Sequence, residues 1–132
     1  MSRRQQGRLI GDALNDPATP VLNTVFPASQ LGQQLNTVAR IIAVRDTLQM
    51  ERQVFLVATG GFDSHDNQLQ NQPGLLGGAS QAMAAFYNAT VKLSVSDMVT
   101  SFTQSDFART LTSNGDGTYH AWGGNQLVIV MP

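Results

Sequence analysis

Two histidines, His65 and His120, and a handful of aspartates are the residues of this chain whose chemistry reaches beyond packing. Asp63 stands two positions before His65, so in an extended backbone both side chains leave on the same side. Asp106 and His120 lie further along the chain. Imidazole with carboxylate is the usual donor set for zinc or a similar divalent ion, and the same groups serve as general acid and base. Asp63, His65, Asp106 and His120 are therefore candidate metal ligands, and Arg109 a candidate anion-binding cation. Each has a plainer alternative. Asp63 can accept backbone N–H bonds within its own loop, His65 can be a surface residue, Asp106 can cap a short helix, and Arg109 can serve a salt bridge. Asp116 sits in Asn114-Gly115-Asp116-Gly117, which is strong turn chemistry. Trp122 reads as packing.

These residues need elements to hold them. Ser29 is an expected N-cap for a helix over 29–50, in which Leu31, Leu35, Val38 and Ile42 repeat in steps of three and four. The apolar run 54–58 (VFLVA) predicts a strand buried on both faces. A second helix is expected over 75–93, opened by Pro73-Gly74, and further strands over 98–103 and 127–131. Strand, helical crossover and strand make a right-handed βαβ unit. The expected class is thus α/β, with a small, mainly parallel sheet and flanking helices. Ligands of open α/β sheets bind at the carboxyl ends of strands, where the loops 59–68 and 104–110 fall. Residues 1–26 carry turn signals such as Asn15-Asp16-Pro17 and little periodicity, so an extended or mobile segment is expected there.

Composition narrows the function classes. The chain has 132 residues, enough for about one domain. Apolar residues make up 42%, sufficient for a core, whereas charged residues make up only 13% and are replaced largely by 8 Asn and 13 Gln. A formal net charge of −1 argues against a broad nucleic-acid or acidic-membrane footprint. With no cysteine, disulfides, thiolate metal sites and a cysteine nucleophile are excluded. No apolar run reaches the roughly 18–20 residues of a membrane span. Walker A, GxSxG, HExxH and dinucleotide GxGxxG patterns do not occur.

Taken in order, four motifs carry a family resemblance: Phe26-Pro27-x3-Leu31-Gly32-x2-Leu35, Gly60-Gly61-Phe62-Asp63-Ser64-His65-x2-Gln68, Ser105-Asp106-Phe107-Ala108-Arg109-Thr110, and Gly117-Thr118-Tyr119-His120-Ala121-Trp122-Gly123-Gly124. The set resembles the DUF1501 family, bacterial proteins distantly related to the alkaline phosphatase and sulfatase superfamily, over about residues 20–130. Residues 27–132 are accordingly expected to form a partial domain of that family, resembling part of an alkaline-phosphatase-like fold. The resemblance implies that Asp63 and His65 ligate one metal ion and that Asp106 serves a second. The chain departs from the family pattern where Ser64 replaces Thr, Asp106 replaces Glu, Ala108 replaces Gly, and Tyr119 stands in place of an Asp before His120.

The resemblance also implies metal-dependent hydrolysis of phosphate or sulfate esters in longer relatives, with zinc, calcium or manganese as the ion. It implies export to the periplasm as well. The chain looks like a segment from the second half of such a protein. By itself it is expected to be inactive, because no nucleophile is paired with a full ligand set. The alternative is a non-catalytic fragment that pairs with a partner chain: a missing N-terminal half, or a second copy joined through the 127–131 edge strand.

Overall fold

The computed structural model describes residues 2–19 and 21–130. Three helices carry most of the regular structure: α1 (Arg3–Asn15), α2 (Gln30–Ala43) and α3 (Gln68–Lys92), followed by a single 3-10 turn at Ser96–Met98. Four two-residue strands complete it: β1 (Ser101–Phe102), β2 (Ala108–Arg109), β3 (His120–Ala121) and β4 (Val128–Ile129).

The core is a contact between α2 and α3. Leu35, Val38, Ala39 and Ile42 from α2 meet Ala82, Phe86 and Ala89 from α3, with Val95 closing one end. Ala39, Ala82 and Ala89 are wholly inaccessible, so alanines line the seam where the helices approach. The stripe read from the sequence at 31, 35, 38 and 42 is the face that packs. Ser29 caps α2 as expected, its hydroxyl accepting from the Gly32 N–H at 3.2 Å. The helix ends at Ala43, seven residues short of the expected limit, and turns follow it.

The parallel sheet does not form. Both sheets are antiparallel and two-stranded, β1 with β4 and β2 with β3. The run 54–58 forms no strand and has no strand partner among the described residues. Val54 is 99% exposed and Leu56 96%, so this is not a strand buried on both faces. Val57 packs on the helical core, and the Gln34 side chain takes the place of a ladder neighbour. Its amide donates to the Ala58 carbonyl at 3.0 Å and accepts from the Ala58 N–H at 3.1 Å. An apolar run states that burial is available; it does not supply the neighbouring strand. The βαβ unit and the alkaline-phosphatase-like sheet expected from it are therefore absent from the described residues.

Three further expectations change. Residues 3–15, expected to be extended or mobile, are helical. The Ser2 hydroxyl accepts from the Gln5 N–H at 3.3 Å and the Gln5 side chain accepts from the Ser2 N–H at 2.8 Å, a capping box that starts α1. α3 begins at Gln68 rather than 75 and carries Pro73 inside it. Its first turn is anchored by tertiary bonds, the Gln68 N–H donating to the Asp116 carbonyl at 3.2 Å and the Gln68 amide to the Ser64 carbonyl at 2.6 Å. The strand expected over 127–131 shortens to Val128–Ile129 and pairs inward with Phe102 and Ser101; Met131 lies outside the described residues. No described helix is long and apolar enough to cross a membrane.

Candidate metal centre

Three segments converge at one end of α3: the loop 60–67 leading into it, the β2–β3 pair, and the turn 112–118 between those strands. Gly61 has φ +92°, and a Cβ there would come within 3.0 Å of Leu75, so the entry to the loop needs glycine. Beyond it the segment is not extended but turns, the Ser64 N–H donating to the Phe62 carbonyl at 3.0 Å and His65 lying in a bend. Asp63 and His65 both face the site, while the Ser64 hydroxyl is buried without a hydrogen-bond partner.

The turn locks against this loop. Asn114 accepts from the Asp116 and Gly117 N–H groups at 3.2 and 2.7 Å and donates its own amide to the His65 carbonyl at 3.0 Å. Thr118 donates its hydroxyl to the Gln68 side chain at 3.0 Å. Gly117 is buried so tightly that an added Cβ would fall 2.5 Å from the His65 carbonyl oxygen. Asp116 is the turn residue the sequence suggests.

The register of β2 and β3 sets Arg109 opposite His120. His120 thereby reaches Asp63 across 57 residues of chain and hydrogen-bonds to it, with Nε2 2.7 Å from Oδ1. His65 Nε2 lies 3.3 Å from the same oxygen, a charge contact rather than a hydrogen bond. The donor atoms of Asp63, His65 and His120 all lie within 4.8 Å of one another, which makes the three a candidate metal-binding triad. All three side chains are partly open to solvent. The hydrogen bond with His120 holds the Asp63 carboxyl below its ordinary pKa of 3.8. Partial desolvation opposes this, and the charges of His120, His65 and Arg109 add to it.

Asp106, also an expected ligand, is exposed and is not a member of this cluster. It occupies a bend before β2 and caps no helix. Arg109 gives one terminal nitrogen to the Phe62 carbonyl at 2.6 Å and the other to the Thr118 carbonyl at 3.1 Å. Trp122, expected to pack, is 80% exposed.

Phe107 has a place that residue-type reasoning did not find. Its ring stacks on His120 with centroids 4.3 Å apart and planes 14° from parallel, and the Arg109 guanidinium lies over the same ring, 4.8 Å from its centroid. His120 in turn stacks on His65 at 4.8 Å. The nearest signal in the sequence was the position of Phe107 between Asp106 and Arg109.

A small, solvent-open cluster of one carboxylate and two imidazoles, held by a loop and a two-stranded ribbon beside a helical pair, defines the class of site. The chain belongs to the DUF1501 family (protein of unknown function), whose model matches residues 13–130. Neither a curated protein nor a solved structure matches it.

Proposed function

We propose that Asp63, His65 and His120 bind one divalent metal ion, and that zinc is the ion they suit best. The observation that carries this reading is the convergence of three donor atoms within 4.8 Å. The fit is chemical as well as spatial. Two imidazoles and a carboxylate match zinc, whereas calcium asks for six or more oxygens. Ligands about 2.1 Å from a tetrahedral ion stand roughly 3.4 Å apart, close to the 3.3 Å between Asp63 and His65. The 2.7 Å contact between Asp63 and His120 must open by some tenths of an ångström when the ion replaces their hydrogen bond. Three protein ligands leave a coordination position open, the arrangement of catalytic rather than structural zinc.

When bound, the ion supplies Lewis-acid polarisation of an ester oxygen. The chain's own residues supply the rest. Asp63 remains ionised through the physiological range and contributes the negative ligand. Arg109, whose charge is felt at Asp63, places positive potential beside the site and favours an anionic phosphate or sulfate ester over a neutral one. The ester-hydrolase reading further rests on the resemblance that the four sequence motifs carry and draws nothing from the fold, since the expected parallel sheet is absent from the described residues.

The test is metal content after dialysis against zinc, followed by calorimetric titration. One zinc per chain, lost in Asp63→Ala and in His65→Ala, is the expected result. Wild-type protein that retains no zinc, or variants that bind it equally well, would remove the reading. Ester turnover by the zinc-loaded protein then separates an enzyme from a binding module. A non-catalytic role in pairing with a partner chain draws support from the exposed apolar residues Val54 and Leu56.

A further inference from the structure

We infer that Phe107 and Arg109 are positioning residues of the metal centre, a role that rests on the zinc reading above and that no ligand pattern assigns to them. Arg109, Phe107, His120 and His65 form a continuous pile. The guanidinium lies 4.8 Å from the Phe107 centroid, Phe107 lies 4.3 Å from His120, and His120 lies 4.8 Å from His65. The angle of 14° between Phe107 and His120 is nearly parallel, so the phenyl face restricts rotation of the imidazole about its χ2 bond. That rotation decides whether Nε2 points at Asp63. The imidazole is otherwise exposed, and no other side chain makes a hydrogen bond to it among the described residues. Beside the Asp63 hydrogen bond and the looser stack on His65, the Phe107 face is therefore the contact that orients the ring plane most closely.

Arg109 fixes the other half of the geometry. One nitrogen holds the carbonyl of Phe62, immediately before Asp63, and the other holds the carbonyl of Thr118, two residues before His120. One planar fork thus sets the distance between the two segments that supply the ligands, while its face stacks on Phe107. A lysine retains the charge but cannot span both carbonyls and stack at once. The same two residues join the loop, the ribbon and the imidazole pair, and loss of either loosens the triad without removing a ligand. Outer-sphere groups that orient ligands change metal affinity by about 10–100-fold.

The experiment combines NMR of the metal-free protein with zinc titration of the same samples. Wild-type protein is expected to show a nuclear Overhauser contact between the Phe107 and His120 rings and a ring-current upfield shift of the His120 ring protons. Phe107→Leu loses that shift and weakens zinc binding by at least about 10-fold, whereas Phe107→Tyr retains both. Arg109→Lys keeps the ring contact but weakens zinc binding by a similar factor. The inference is overturned if the ring contact is missing from wild-type protein. It is equally overturned if Phe107→Leu or Arg109→Lys, folded by circular dichroism, binds zinc as tightly as wild type. Should Phe107→Leu fail to fold, Arg109→Lys and the wild-type ring contact decide. A wild-type protein that shows the stack but binds no zinc strikes the metal reading instead, and the His120 ring signals in the folded variants then report whether the pile orients the imidazole.

Discussion

Two imidazoles meet one Asp63 oxygen, His120 as its hydrogen-bond partner and His65 as a charge contact at 3.3 Å, and the titration of Asp63 reports how firmly they hold it. Its pKa lies below 3.8 in the folded protein, chiefly through the hydrogen bond with His120. In the unfolded chain the carboxyl returns to the ordinary value and binds a proton first. The contribution of Asp63 to stability is therefore fully present above pH 3.8 and is lost as the pH falls through the lowered native pKa. In metal-free protein the Asp63 carboxyl carbon is expected to titrate below 3.8, and in His120→Ala to move up toward it; an unchanged midpoint in that variant would show that His120 is not the cause. Gly117 makes a steric prediction at the same scale. A methyl group there would meet the His65 carbonyl at 2.5 Å, so Gly117→Ala is expected to cost about 1–3 kcal/mol in urea unfolding. It should also weaken zinc binding, since His65 has to move.

At the scale of elements, Gln68 at the start of α3 ties the helical pair to the site segments. Phe86 is 6% exposed in the seam between α2 and α3, and Phe86→Ala is expected to cost about 3–5 kcal/mol, read as a lowered denaturation midpoint. Ser29→Ala removes the cap of α2 and is expected to cost about 1 kcal/mol. If the two losses are additive, the helical pair unfolds as one unit and the caps act independently of the core. The strands play a different part. Each is two residues long and contributes little burial, but the register of β2 against β3 sets which residue faces Asp63. A slip of one residue would turn His120 to the other face. The Arg109 fork and the Arg109–Gly123 bridge, with backbone bonds of 2.7 and 2.9 Å, oppose that slip.

At the scale of the whole molecule, the apolar surface is unevenly distributed. Val54 and Leu56 stand almost fully in solvent on one side of the 54–58 segment, while Val57 packs on the core. With a formal net charge of −1, little electrostatic repulsion keeps copies apart. Replacing both exposed residues by threonine is expected to change stability by less than about 0.5 kcal/mol. It should reduce binding of a hydrophobic dye and any concentration-dependent self-association in light scattering. A large loss of stability in that double variant would mean that Val54 and Leu56 are covered in the folded protein after all.

Local signals in the sequence were sufficient where the physics is local. The stripe Leu35, Val38 and Ile42 with Ser29 before it is α2 and its cap, because a helix satisfies its own hydrogen bonds and needs only one apolar face. The pairing of Asp63 with His65 is also legible, and both join the triad with His120, although a turn at Asp63 rather than an extended segment brings them together. Ser2 and Gln5 carry an equally local capping box, which starts α1 despite the turn signals that follow it. Pairing of strands is not local. The run 54–58 has the composition of a sheet centre, yet no described segment lies alongside it, and β1 meets β4 in the antiparallel sense. Nor does residue type separate Asp106, which stays apart, from Asp63, which gathers both histidines. That difference comes from the approach of His120 across 57 residues. The stack of Phe107 on His120 arises in the same way, through ribbon register and the Arg109 fork, which exist only once distant parts of the chain have met.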